Sequence, residues 1–139
     1  MHIKDIFGRD RNVSLNKYLI KWDKPGRSKL ENEVRKFLFP FWRSHVVTAE
    51  FRIPSSRLRC DLLNWNRMIA IEVDGAQHDT FSKYFHGSRA GYRLSFQRDL
   101  EKEKWLEQIM GFTVVHIYTK DIPDLSRAWF LEKYGVDLI

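Results

Sequence analysis

The sequence predicts an α/β chain with a mixed sheet of the α+β type, in the order α-β-β-β-α-β-α. Three observations carry this. A capping signal near residue 28 precedes apolar residues at helical spacing. Three short β-rich segments then follow at hairpin distance, and a second long helix leads directly into an apolar strand. A meander joined to an α-β unit makes a mixed sheet that helices can cover.

The elements follow in order. Pro25-Gly26 punctuates the start, and Ser28 with Glu31 forms a capping box ahead of Leu30, Val34, Phe37 and Leu38. Pro40 is expected to end this helix, because the residue before a proline is pushed out of the α region. Val46 to Ile53, Leu58 to Leu63 and Met68 to Val73 read as strands, the last two joined by an Asn64-Trp65-Asn66 turn. Ser95 is expected to cap a helix reaching Met110, with Leu100, Leu106, Ile109 and Met110 on its apolar face and Gly111 closing it. Phe112 to Tyr118 is a buried strand. A last helix over about 126–134, capped by Asp124 or Ser126, packs Trp129 and Phe130 on the sheet.

Length and composition bound the function. The chain has 139 residues, 43% of them hydrophobic and 30% charged, so it can bury a core and is too apolar for a disordered chain. Its longest apolar runs are too short to span a bilayer, and nothing near Met1 resembles a signal peptide. One cysteine, Cys60, excludes an intrachain disulfide and a cysteine-built metal site. The expectation is a cytoplasmic globular domain at 28–139 behind a basic arm at 1–27. Residues 1–29 hold eight Lys or Arg against three Asp, while the remainder is nearly neutral, a distribution suited to phosphate-backbone binding. Lys17, Lys21, Arg27 and Lys29 are the arm's candidate DNA contacts, with Tyr18 and Trp22 interleaved. A second basic stretch, including Lys83, Arg89, Arg93 and Arg98, surrounds Gly87 and Gly91 as a possible clamp.

The carboxylates are more specific. Asp61 interrupts the apolar second strand, and Glu72 the third. A charged carboxylate there is costly unless it is paired, hydrogen-bonded or bound to a cation. In adjacent antiparallel strands the two can come close, and a hard divalent cation relieves their repulsion. Gly75 allows a sharp exit, putting Gln77 and His78 at the mouth of the cluster, where a neutral imidazole suits proton transfer. Glu33 and Asp99 are helix acids able to converge on the same place.

Asp61, the Glu72-Val73-Asp74-Gly75-Ala76-Gln77-His78 segment and this element order resemble the PD-(D/E)XK nuclease superfamily. Within it they look most like the branch around the very-short-patch-repair (Vsr) endonucleases and the EDxHD homing endonucleases of phages. The resemblance covers about residues 28–120, including Trp105, Leu106, Gly111, Phe112 and Val114. It implies a restriction-endonuclease-like core and Mg²⁺-dependent cleavage of double-stranded DNA, with Mn²⁺ a substitute. It also implies catalytic roles for Glu33, Asp61, His78 and Asp99. Asp61 would be the principal metal ligand, Glu72 a candidate second ligand and His78 the general base or leaving-group assistant, while Glu33 and Asp99 would orient water, metal or the histidine. Apart from the resemblance, position and charge make Gln77, Arg89 and Arg93 candidate DNA contacts. Glu31 competes with Glu33 for the helix position. The superfamily's usual lysine, two residues after the Glu, is here Asp74, and Cys60 stands where proline is usual before Asp61. The alternatives are an inactive nucleic-acid-binding module on the same fold, or a repair, restriction or RNA-processing nuclease. Double-strand cleavage by a single-site enzyme would call for a homo-oligomer or two successive nicks.

Overall fold

The computed structural model describes residues 1–74 and 89–139. It opens with an element absent from the expected order. β1 (His2–Lys4) and β2 (Asp10–Asn12) pair antiparallel in a small hairpin. Ile3 is buried in the core, and Trp105 Nε1 donates to Lys4 O at 3.0 Å. At the hairpin turn the buried Asp5 carboxylate accepts from the backbone N–H of Phe7 and Arg9, from the Arg9 and Arg11 guanidinium groups and from the Ser55 hydroxyl. Burial pushes this carboxyl up, but those donors together outweigh it and hold it well below the usual range. The chain returns through Leu19, bridged to Thr48, and through Ile20, whose N–H reaches Val47 O at 2.9 Å. The basic N-terminal segment is therefore packed on the body.

α1 (Lys29–Trp42) starts where Ser28 Oγ accepts the Glu31 N–H at 3.1 Å. It buries Val34, Leu38 and Trp42 at successive turns. Pro40 does not end it, contrary to the sequence expectation. A proline in the last turn forfeits one intrahelical bond, and Trp42, fully buried, anchors the helix beyond it.

β3 (Val47–Arg52), β4 (Arg59–Asn64) and β5 (Ile69–Asp74) form the expected antiparallel meander. β6 (Thr113–Tyr118) adds parallel to β5, giving a four-stranded mixed sheet ordered β3-β4-β5-β6. α2 (Arg89–Glu103) continues into a π-helical turn at Lys104–Ile109. Two expectations are corrected here: Ser95 lies inside α2 rather than at its cap, and Leu100 is 52% exposed. The wider π turn changes the helical phase, so that Trp105 and Leu106 are both buried where a 3.6-residue period from Leu100 would not place them. Gly111, at φ +80°, takes the left-handed backbone that closes this turn. α3 (Arg127–Tyr134) is capped by Ser126 Oγ, which accepts the Trp129 N–H, and ends at left-handed Gly135.

Both faces of the sheet are covered. Val34, Leu38 and Trp42 of α1, Phe130 of α3, and Val136 and Leu138 pack on Ile71, Val115 and Ile117. On the other side Ile3, Trp105, Leu106 and Phe112 pack on Phe51, Leu63 and Ala70. No helix among the described residues is long and apolar enough to cross a membrane.

Candidate functional site

Four elements converge at the end of the sheet nearest the start of α1. Glu31 comes from the first turn of α1, Glu50 from β3, Asp61 from β4 and Glu72 from β5. A carboxylate oxygen of each of Glu31, Glu50 and Asp61 lies within 4.8 Å of the other two.

Glu31 is 4% exposed. Its Oε2 accepts the Arg27 N–H at 2.7 Å, so the carboxylate folds back over the helix start instead of completing the capping box at Ser28. Its Oε1 is buried and accepts no hydrogen bond; Arg35 Nη2, the nearest cation, is 3.7 Å away. The Pro25-Gly26-Arg27 turn lies directly against this carboxylate, and a Cβ added at Gly26 would overlap Glu31 Oε2. Glu50 has φ +53° in the middle of a strand, a left-handed conformation that costs an L-residue and that surrounding structure must enforce. Arg27 Nη1 reaches its Oε2 at 3.2 Å.

Asp61 and Glu72 meet as the alternation of the strands predicts. Asp61 N–H donates to Glu72 Oε2 at 2.9 Å, and Val73 N–H donates to Asp61 Oδ2 at 2.8 Å. Burial first, and the Glu72 charge second, push the Asp61 carboxyl up to about 8, against the lowering by Val73 N–H and Lys102; Glu50 adds to the rise. The other oxygen of Glu72 takes Lys102 Nζ at 2.8 Å. Burial raises the Glu72 carboxyl, with Lys102 opposing it, while the carboxylates around Lys102 hold its ammonium above its ordinary value in spite of burial. Beside them Cys60 is buried, its thiol pushed well up first by burial and then by Glu72, so it stays neutral.

Glu33 points elsewhere. Its side chain is 44% exposed and lies 3.8 Å from Lys36 Nζ, while Glu31 occupies the helix position in the cluster. Glu72 stands beside the three-carboxylate set, with both oxygens engaged. Asp74 accepts from His116 Nδ1 at 3.1 Å, and His116 Nε2 contacts Glu103 Oε1, so the imidazole bridges β5 and α2. Asp99 is exposed on α2, at the rim of a groove shared with Lys102, Arg57, Arg59 and Arg98. Lys17 stands 5.1 Å over the Tyr18 ring, Lys21 lines a groove with Trp22, Arg35 and Phe39, and Lys29 and Arg93 are exposed. Gln77 and His78 lie outside the described residues, as does the side chain of Arg89.

Sequence reasoning missed Glu50 and Lys102. Glu50, in Ala49-Glu50-Phe51, has the alternation of an ordinary solvent-facing strand position. Lys102 is one of several cations on a charged helix, with Arg98 and Lys104 close by.

Three buried or half-buried carboxylates, one holding an unsatisfied oxygen and one in an enforced left-handed conformation, fit a hard divalent cation with oxygen ligands. No family model, curated protein or solved structure matches the chain.

Proposed function

We propose that the chain is a Mg²⁺-dependent endonuclease that hydrolyses phosphodiester bonds of double-stranded DNA on a restriction-endonuclease-like core, of the Vsr-like or homing type. The observation that carries this reading is the buried Oε1 of Glu31, without a hydrogen-bond partner in a cluster with Glu50 and Asp61. Supporting it are the resemblance of the Asp61 and Glu72-to-His78 segments to the PD-(D/E)XK superfamily and the meander with its parallel last strand.

In this reading Glu31, Glu50 and Asp61 would hold Mg²⁺ (or Mn²⁺), which would supply charge neutralisation at the scissile phosphate and lower the pKa of the attacking water. Glu72 is a positioning residue: one oxygen fixes the Asp61 backbone and the other aims Lys102. The Lys102 ammonium, brought by α2, supplies the positive charge that Asp74 denies to the strand position. It stabilises the charge that develops on the phosphate oxygens as the bond breaks. His78, four residues beyond Asp74, is the proton acceptor that the sequence offers for the attacking water. Asp99 remains a candidate for orienting water from the groove rim. Lys102 also bears on the alternative of an inert binding module, because it offers an ammonium to a site whose strand position carries Asp74 in place of a lysine.

Supercoiled plasmid incubated with the protein and Mg²⁺ tests the reading, with EDTA and Asp61→Asn as controls. The expected result is nicking or linearisation that disappears in EDTA and falls by at least about 10²-fold in the variant. Absence of cleavage of several unrelated duplex DNAs in both Mg²⁺ and Mn²⁺, or an Asp61→Asn protein as fast as wild type, would refute it.

A further inference from the structure

Two concavities on the α2 side of the molecule share Arg57, Leu58 and Arg98. One begins at the N-terminal hairpin, at Phe7; the other ends at Lys102, whose ammonium holds Glu72. They therefore form a single trough between the β3–β4 turn and α2, running from the hairpin to Lys102, the ion-pair partner of Glu72. Its charged lining is five cations (Arg57, Arg59, Arg98, Lys102, Lys104) against two acids (Asp99, Glu101).

Arg57, Arg59 and Arg98 are exposed and form no ion pair with another described residue. The groove on the α1 side differs. Of its four cations, Arg35 is directed at Glu31 and Lys36 at Glu33, Lys21 and Lys24 are exposed without an ion pair among the described residues, and Ile20, Trp22 and Phe39 make much of its wall apolar. Both of the α1-side groove's unpaired cations are lysines, whereas the α2-side trough offers three unpaired guanidinium groups, whose planar forks match phosphate oxygens.

We propose that this trough carries the phosphate backbone of duplex DNA, with Arg57, Arg59 and Arg98 as its contacts, delivering a phosphodiester to the Glu31–Glu50–Asp61 cluster past Lys102. The assignment rests on the nuclease reading for its destination, and moves the main DNA contacts from the N-terminal lysines to the β3–β4 turn and α2. Phe7, 70% exposed at the far end, offers an aromatic ring to a sugar or base there.

The test measures binding without cleavage, by fluorescence anisotropy of a labelled mixed-sequence duplex in EDTA. It compares wild type, Arg57→Glu/Arg98→Glu, and Lys21→Glu/Lys24→Glu in the α1-side groove. The arginine double variant should raise Kd by at least about 10-fold and reduce the slope of log K against log salt by about 2, as two lost phosphate contacts require. The lysine double variant should stay close to wild type. Arg57→Gln/Arg98→Gln, which only neutralises, should give a smaller loss in the same direction. All these positions are exposed, so unchanged far-ultraviolet circular dichroism is expected throughout. An arginine variant that binds like wild type while the lysine variant loses binding would overturn the proposal, as would a wild type that binds no duplex at low salt. A wild type that binds through these arginines and never cuts any DNA would uphold the trough and overturn the nuclease reading. One that cuts with the arginines reversed, at wild-type affinity, would do the opposite.

Discussion

Lys102, partly buried, and Glu72, buried, make an ion pair, and Glu72 also accepts the Asp61 N–H. Removing the ammonium alone strands a carboxylate in the protein interior. Lys102→Ala is therefore expected to destabilise the fold by about 3 kcal/mol in chemical denaturation. Lys102→Met with Glu72→Gln, which removes both charges, should recover most of that loss without restoring cleavage; an additive double variant would show that the pair is not coupled. Gly26 gives a subtler test, because a Cβ there displaces the Glu31 carboxylate without touching the core. Gly26→Ala should weaken divalent-cation binding by about 10-fold, with a loss of stability under about 1 kcal/mol. Equal affinity in the two proteins would detach the turn from the site. Asp61 and Glu72 were legible in the sequence because each interrupts an apolar strand. Glu31 was not separable from Glu33, since two positions in one helical turn differ only in direction, and direction depends on how α1 lies on the sheet. Glu50 was hidden because its special feature, φ +53°, is a backbone property that a glutamate does not advertise.

At the scale of elements, the meander, the start of α1 and the last strand were readable from periodicity and caps. The end of α1 and the start and phase of α2 were not, because Trp42 carries α1 past Pro40 and a π turn shifts the helical period. Nor was the N-terminal hairpin. His2–Lys4 and Asp10–Asn12 are three-residue strands, too short to show alternation, and their stability comes from the Asp5 network and from Ile3 in the core. Ile3→Ala should cost about 2–4 kcal/mol by denaturant titration, because it leaves a cavity beside the tightly packed Trp105. A loss below about 0.5 kcal/mol would show that the hairpin only rests on the surface. His116 ties β6 to Asp74 on β5 and to Glu103 on α2. The hydrogen bond it donates to Asp74 first, and the one to Glu103 next, raise it from 6.5 to about 9, in spite of burial. A folded-state pKa above the unfolded one stabilises fully below pH 6.5, and the gain is lost as pH rises through 9. Thermal stability should accordingly fall across that window, with His116 contributing on the order of 1–2 kcal/mol after discounting its partial exposure. His116→Gln should flatten the profile, whereas an unaltered slope would remove His116 as its cause.

Over the whole molecule, charge in the sequence and charge in the structure tell different stories. The first 29 residues carry most of the net positive charge, which read as a nucleic-acid-binding arm. Folding commits much of it: Lys4 pairs with Asp10, Arg9 and Arg11 with Asp5, and Arg27 with Glu50. Lys17, Lys21, Lys24 and Lys29 make no ion pair among the described residues, and a separate unpaired group, Arg57, Arg59 and Arg98, gathers beside α2 in a trough that joins segments some forty positions apart. No linear charge count reveals such a patch, because the hairpin of β3 and β4 must first dock beside the helix. The same holds for the carboxylate cluster, which draws one residue each from α1, β3 and β4. Its power to hold a divalent cation is what the nuclease reading depends on, and a Mn²⁺ titration followed by electron paramagnetic resonance tests it most directly. Wild type should show a saturable site, weakened at least about 10-fold in both Glu50→Gln and Asp61→Asn and unchanged in Glu33→Gln. Wild-type protein that leaves the Mn²⁺ signal free, or binding that survives loss of Glu50 and Asp61 but not of Glu33, would contradict it.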